Sequence, residues 1–510
     1  MTLSLCLSLL LSCHGPAALD DSGPIDSSAG IGLGEVQACA APLPGPAWTE
    51  EGEAWGLIAL GTEITDHEEG PSIAAGDIDG DGLIDLAILM QQSQGQLYLN
   101  QGDHFQAQST MVQPGAAGLL IDLDGDSDLD LIAGGGTPSA LRNDGGSFSP
   151  WNLPSLFPTG PSYQPTVHDL SPGDLDGDGT TELYLALGHN FADESKPLND
   201  ELLHLGADGL STLTDVVPMD VGARHGFDAL WFDEDGDGDL DLYLANDLAM
   251  NYGASTLLRN EGGQLVDGAD DCFCSLYQAA KGVDIADVDG NGQPELYVTG
   301  SPLSTLLSRL DDGAWVDIST ATQASQLMTN ATGWGGIFLD YDNDGHPDIL
   351  SAQGDRWNSG NDHPHFDAPL QVLHQEDGVF VDRAAELGLD VLGSFRAALA
   401  WDLNADGVED LLVTHMDGRP YLFLSEGCTA AGWLEVEAPI GSRVQVRSGD
   451  QVQTGWARMD EGYQSTRPPR LHFGLGAAQT VDDLVITLPG GEVRALHSAF
   501  DARRVVTLSP

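Results

Sequence analysis

Basic residues are scarce in this chain: 18 Lys and Arg among 510 residues, against 80 Asp and Glu, for a formal net charge of −62. A phosphate backbone is bound through basic patches, so this balance argues against a nucleic-acid partner. Long apolar runs are also missing. The one run of note, Met1 to Ser12, is too short to cross a bilayer. There is no nucleophile elbow, no phosphate-cradling glycine loop and no zinc-protease helix motif, so catalysis has little support. Carboxylates are too frequent for a glycosidase pair to be picked out by spacing. Among 14 histidines, His225 and His415 read as packing or turn residues rather than general bases. A hydrophobic content of 41% excludes a merely disordered acidic chain.

What is present is one acidic loop, repeated. In Asp77-Ile78-Asp79-Gly80-Asp81-Gly82-Leu83-Ile84-Asp85, side-chain oxygens stand at positions 1, 3, 5 and 9. Carboxylates so close repel by roughly 1 kcal/mol per pair even in water. A hard dication removes that repulsion, and an oxygen-only set suits calcium. The glycines allow the tight turn. The same pattern returns as Asp122, Asp124, Asp126 and Asp130; Asp174, Asp176, Asp178 and Glu182; Asp233, Asp235, Asp237 and Asp241. It returns again as Asp287, Asp289, Asn291 and Glu295; Asp340, Asp342, Asp344 and Asp348; Asp402, Asn404, Asp406 and Asp410. Every substitution keeps an oxygen, so about seven structural calcium ions are expected. The fifth loop (Asn291, Gln293) and the seventh (Asn404) carry less charge and should bind more weakly. Seven ions would still leave a net charge of about −48.

An EF-hand needs a bidentate Glu at position 12. Here that position is Ile88, Ala133, Leu185, Leu244, Val298, Ser351 or Val413, so the EF-hand reading fails. Apolar segments flank each loop, such as Ala229-Leu230-Trp231-Phe232 before and Leu242-Tyr243-Leu244 after, which is strand chemistry. Each loop is therefore expected at the tip of a β-hairpin. A second signature follows in most units, as in Leu97-Tyr98-Leu99-Asn100-Gln101-Gly102 and Leu257-Leu258-Arg259-Asn260-Glu261-Gly262, and predicts a second hairpin. Two hairpins recurring every 45 to 62 residues suggest four-stranded propeller blades.

In chain order, residues 1–12 read as a signal peptide. Leu10-Leu11-Ser12-Cys13 resembles a bacterial lipobox, which implies cleavage before Cys13 and lipid on its sulfur; secretion with cleavage near Ala17-Ala18 is the alternative. Residues 13–47 are rich in Gly, Ser, Ala, Pro and Asp and read as a flexible linker. Four further cysteines suit an oxidising compartment. Cys39 and Cys428 bracket the repeats and would meet in a closed ring, leaving Cys272–Cys274 as a local bridge; other pairings stay open.

The repeats over about residues 60–427 resemble the FG-GAP/VCBS repeat of integrin α-chain propellers and many secreted bacterial proteins. In residues 429–510, Gly441-Ser442-Arg443-Val444, Glu461-Gly462-Tyr463-Gln464-Ser465 and His472-Phe473-Gly474-Leu475-Gly476 resemble the ASPIC/UnbV domain of the cartilage acidic protein family and its bacterial relatives. Leu488-Pro489-Gly490-Gly491 departs from that pattern. The resemblance implies an all-β protein: a seven-bladed β-propeller with calcium-binding hairpin loops over residues 48–428, and a small C-terminal β-sandwich over 429–510. It also implies calcium loops on one face and partner-binding loops on the other, here Gly188–Glu201, Asn246–Ser255 and Gly354–Pro369. The last holds His363 and His365 with Asp362 and Asp367, a weak transition-metal candidate.

Arg224, Lys281 and Arg396 lie six to nine residues before a loop. That offset would place them around the central channel, opposite the calcium ions, as a site for an anionic group; pairing with nearby carboxylates is the alternative. The leading expectation is a non-enzymatic binding or adhesion module at the cell surface, an outer-membrane lipoprotein of a bacterium, with an extracellular protein or glycan ligand. Membrane contact would be through the lipid anchor alone. A polysaccharide lyase and an envelope scaffold are the alternatives.

Overall fold

The computed structural model describes residues 30–39, 42–43, 48–60, 70–91, 93–135, 138–151, 153, 166–188, 200–206, 209–213, 216–218, 225–247, 253–268, 272–325, 331–355, 367–425 and 427–508. The expected signal peptide, Cys13, Arg224, and most of the three candidate partner loops with His363 and His365 fall outside these residues. Among the described residues no helix is long and apolar enough to cross a membrane. Among the same residues the helices are single turns, Ser319–Thr322 and Ala384–Leu387.

Seven antiparallel sheets follow one another along the chain, and each begins with a strand leading into an acidic loop. Their first strands are Ser72–Gly76, Ala117–Ile121, Val167–Gly173, Gly226–Phe232, Ala279–Ala286, Ala331–Leu339 and Phe395–Trp401. The second strands start at position 9 of each loop: Asp85, Asp130, Glu182, Asp241, Glu295, Asp348 and Asp410. Third and fourth strands form the second hairpin, as in Thr256–Asn260 with Leu265–Asp267. The first two strands are buried on both faces, which explains why Leu86-Ala87-Ile88-Leu89 is a continuous apolar run rather than an alternating one.

The apolar clusters lie between sheets rather than within them. Leu119 and Ile132 of the second sheet pack with Leu170 and Leu183 of the third. Ile73 and Leu86 of the first pack with Leu399 and Leu412 of the seventh, closing a propeller-like ring. The N-terminal strand Trp48–Glu50 completes the seventh sheet by pairing with Pro420–Ser425, so both ends of the repeat region share one sheet. The Cys39–Cys428 disulfide, with Cα atoms 5.8 Å apart, secures that junction, and Cys272–Cys274 forms the local bridge.

After the ring come two four-stranded sheets around one core of Leu434, Val436, Val444, Val446, Phe473, Leu484, Ile486 and Val506. One edge strand is Ile31–Leu33, paired with Arg504–Leu508. This corrects the flexible-linker expectation for that stretch. Strand pairing at an edge is made by backbone groups, so a composition poor in large apolar residues does not prevent it.

Candidate metal loops and the centre of the ring

All seven loops share one hydrogen-bond scheme. The position-1 carboxylate accepts the position-6 N–H: Asp77 from Gly82 at 2.9 Å, Asp174 from Gly179 at 2.9 Å, Asp402 from Gly407 at 2.8 Å. The position-5 side chain accepts the N–H two residues on, as Asp81 does from Leu83 at 2.8 Å and Asn291 from Gln293 at 2.6 Å. These bonds wrap the backbone around the remaining lone pairs. Ligand atoms of Asp77, Asp79 and Asp85 come within 4.8 Å of one another, as do those of Asp122, Asp124 and Asp130; Asp174, Asp176 and Glu182; and Asp233, Asp235 and Asp241. In the sixth loop the group that converges is Asp342, Asp348 and His374. His374 lies outside the loop motif, and its distance along the chain hides it from spacing arguments. In the second loop Arg142 stands 2.7 Å from Asp124, a guanidinium beside the cation position.

Position 9 does more than offer a ligand. Its carboxylate is buried in every loop and ties the loop to the second hairpin. Asp85 accepts from Ile78 N at 2.7 Å and Asn100 N at 2.7 Å; Asp130 accepts from Leu123 N at 2.9 Å and Asn143 N at 2.8 Å. The longer Glu reaches past the backbone to a side chain: Glu182 contacts His204 Nδ1 at 2.7 Å, and Glu295 accepts from Ser308 Oγ at 2.7 Å. Burial pushes the carboxyl of Asp85 up to about 7 and that of Asp130 up to about 6. Asp340, Asp402 and Glu295 are pushed well above the usual carboxylate range, by burial first and next by neighbouring carboxylates, those of the same loop for Asp340 and Glu295 and Glu435 of the C-terminal domain for Asp402. Holding these groups ionised calls for a compensating positive charge, which a dication at the loop would supply.

The asparagines of the second signature have a role that the sequence pattern does not show. Asn143 Nδ2 donates to Ile78 O of the preceding loop at 2.8 Å, and Asn260 Nδ2 to Leu175 O at 2.6 Å. Gln375 Nε2 does the same to Val288 O at 3.0 Å. Each side-chain carbonyl closes its own turn, as Asn143 Oδ1 does on Gly146 N at 2.8 Å. Neighbouring loops are thus strapped together, and Arg309 replaces the asparagine strap by pairing with the buried Glu234 at 2.9 Å.

The C-terminal domain rests on the later loops. Gly490 N donates to Gly238 O at 2.9 Å, Arg443 Nη2 to Gly292 O at 3.1 Å and Gln451 Nε2 to Gly345 O at 2.8 Å. Trp433 lies against Gly407. From this domain the buried segment 457–467 enters the centre of the ring and meets all seven sheets. Gln464 O accepts Ile73 N, Thr466 Oγ1 donates to Gly118 O, and Asp460 accepts Ser171 Oγ at 2.6 Å. Tyr463 packs on Phe227 and Trp334, with ring centroids 6.1 and 5.2 Å away. Arg458 pairs with Asp284, and burial of Glu461 is met by Ala400 backbone and Arg467. Ser465–Thr466 adds a parallel strand to the first sheet.

Lys281 and Arg396 come to the same end of the inner strands, as their offset implies, but both are buried: 6% and 3% exposed. Lys281 pairs with Asp247 at 2.8 Å, and both cations sit over the Trp334 ring. Lys281 therefore follows the ion-pair alternative.

A profile of the FG-GAP-like repeat family matches residues 77–133, 122–185, 233–298 and 340–413, each match starting on a loop's first aspartate. A profile described as ASPIC and UnbV matches residues 436–509. No curated protein matches the chain. Among solved structures, BBS1N in complex with ARL6DN, soaked with lead, shares 11% identity over 74% of this chain and 96% of that one, with a TM-score of 0.43. YCF48 bound to D1 peptide shares 9% identity over 77% and 98%, also with a TM-score of 0.43.

Proposed function

The chain belongs to the FG-GAP-like repeat proteins that carry a C-terminal ASPIC and UnbV domain, and from that premise we propose that it is a calcium-stabilised, seven-bladed propeller acting as a binding module outside the cytoplasm. The observation that carries the reading is the convergence of carboxylates at positions 1, 3 and 9 in successive loops, each with its position-9 group buried. Calcium is structural: it neutralises the loop tips and holds paired strands in register. Two disulfides and the Ser12-Cys13 context support secretion, with lipid on Cys13 as the tether. Ligand recognition falls to the loops remote from the calcium sites, because the C-terminal domain occupies part of the calcium face. The ligand is an extracellular protein or a glycan.

The test is a glycan and protein array probed with calcium-loaded protein, run beside a glycan-cleavage assay. Saturable binding without products supports the module. Turnover would favour the polysaccharide-lyase alternative, and self-association without any ligand would favour an envelope scaffold. Melting with and without chelator tests the calcium role separately, since an ion bound only by the native state raises its stability.

A further inference from the structure

The sixth loop departs from its siblings at position 9. In the other six, one oxygen of that carboxylate accepts the position-2 N–H, from Ile78, Leu123, Leu175, Glu234, Val288 or Leu403. In the sixth, Asp348 Oδ1 accepts Gln375 N at 2.7 Å and meets His374 Nδ1 at 3.0 Å, while Oδ2 is buried and accepts no hydrogen bond. Asp348 is wholly buried, so that oxygen faces neither solvent nor a donor. It belongs to the group in which Asp342, Asp348 and His374 each bring a ligand atom within 4.8 Å of the others.

Nitrogen in this set changes which ion the loop favours. Calcium collects six to eight oxygens, whereas imidazole suits zinc and its neighbours in the first transition row. Two ligand atoms each about 2.1 Å from a tetrahedral zinc ion lie about 3.4 Å apart. Asp348 Oδ1 and His374 Nδ1 stand at hydrogen-bond distance, 3.0 Å, and need part by only about 0.4 Å for both side chains to bind one ion. Tyr341 meets the His374 ring edge-on, with centroids 5.4 Å apart, and so restrains the imidazole. His374 also borders a cleft of about 730 Å³ between the fifth and sixth loops and the turn at Asp450–Gln453, which leaves room for water to complete the coordination. The third loop is the contrast. His204 touches Glu182 there, but Glu182 Oε2 is occupied by Leu175 N, and the converging group is Asp174, Asp176 and Glu182, oxygen throughout.

We propose that the sixth loop is a zinc-class transition-metal site held by Asp342, Asp348 and His374, within a ring whose remaining loops take calcium. This goes beyond the calcium reading and stands whether or not the other loops fill. The experiment uses the full chain, kept in millimolar calcium, dialysed against zinc and then freed of excess; metal content is read by mass spectrometry. One equivalent of zinc per chain is expected. H374Q should lose it with calcium content unchanged, and H204Q should keep it. Zinc absent from the parent, or retained equally by H374Q, overturns the proposal. Loss of calcium alone from the parent would count against the calcium reading instead. Should H374Q fold poorly, cobalt(II) added to the parent decides: hyperfine-shifted imidazole resonances support the site, and their absence overturns it.

Discussion

The first three acidic loops and the last four have nearly the same sequence and different surroundings. A Cβ built on Gly80, Gly82, Gly125, Gly177 or Gly179 meets nothing within 4 Å. In the later loops, one on Gly345 runs into Gln451 and one on Gly407 into Trp433. The early loops are open tips. The later ones are partly roofed by the C-terminal domain, which donates hydrogen bonds to their backbone carbonyls. Burial then turns an identical motif into a different electrostatic object: Asp340 and Asp402 are pushed well up, and Asp287 up to about 7. The lesson is that a ligand motif specifies geometry, while its ion affinity and its structural worth depend on what covers it.

The comparison can be broken most severely by removing what anchors the roof. Tyr463→Ala leaves a cavity beside Phe227 and Trp334 at the ring centre. A loss of about 3–5 kcal/mol is expected in chemical denaturation, together with new protease cutting at the later loops and none at the first three. Unchanged cutting would mean that rim contacts alone hold the domain down.

A smaller effect comes from paired position-1 variants. Asp402→Ala strands the half-buried N–H donors of Gly407 and Asp406 and should cost about 2 kcal/mol, within the range for unsatisfied groups cut off from water. Asp77→Ala frees donors that water can reach and should cost about 1 kcal/mol. Equal losses in calorimetry would erase the distinction between roofed and open loops.

Gly407→Ala against Gly80→Ala sharpens it further. Both glycines are left-handed, at φ +87° and +76°, so both variants carry a similar backbone strain of about 1–2 kcal/mol. Only Gly407→Ala must also displace Trp433. The difference between the two melting temperatures therefore isolates the docking contact, and none is expected if the domain does not sit there in solution.

The smallest effect is on pH dependence at the ring centre. Burial raises the Asp169 carboxyl, which lies beside Asp228 and is hydrogen-bonded to Ala229 N at 3.1 Å. Its folded-state value lies above the unfolded one, so the native chain holds the proton more tightly. That contribution is complete below about pH 4 and is lost as pH rises from there. Asp169→Asn abolishes the titration. Its stability relative to the parent should therefore improve from pH 4 to pH 8, with calcium held saturating; a parallel pair of curves would rule this out.

Much of this arrangement was legible in the residue order. The acidic loops sit at hairpin tips where spacing put them, because position 1 closes its turn on an N–H five residues on and needs no distant partner. The second hairpins also follow from local pattern, whereas the Cys39–Cys428 pairing, across 389 residues, was one of several left open until the ring's closure brought the two together. Other features were hidden. Ile31–Leu33 reads as linker because an edge strand needs little more than backbone groups. His374 carries no signal in the sequence, since only the register of the second and third strands brings it opposite Asp348. Lys281 and Arg396 were placed at the right end of their strands, but the burial that Trp334 imposes on them has no signature in spacing.

Short-range chemistry thus settled what the units are. Alternating oxygens and glycines make a tight turn that gathers carboxylates, and apolar runs on either side make paired strands, wherever the segment lies. How the units relate was settled by contacts between residues hundreds of positions apart. Segment 457–467 fills the ring because seven sheets leave a hole at their centre, and the Glu461-Gly462-Tyr463 turn is narrow enough to enter it; a Cβ on Gly462 would meet Gly336 O at 2.8 Å. Which loops are roofed, and which carboxylates lose their water, followed from that insertion, because burial is a property of the assembled chain and not of any stretch within it.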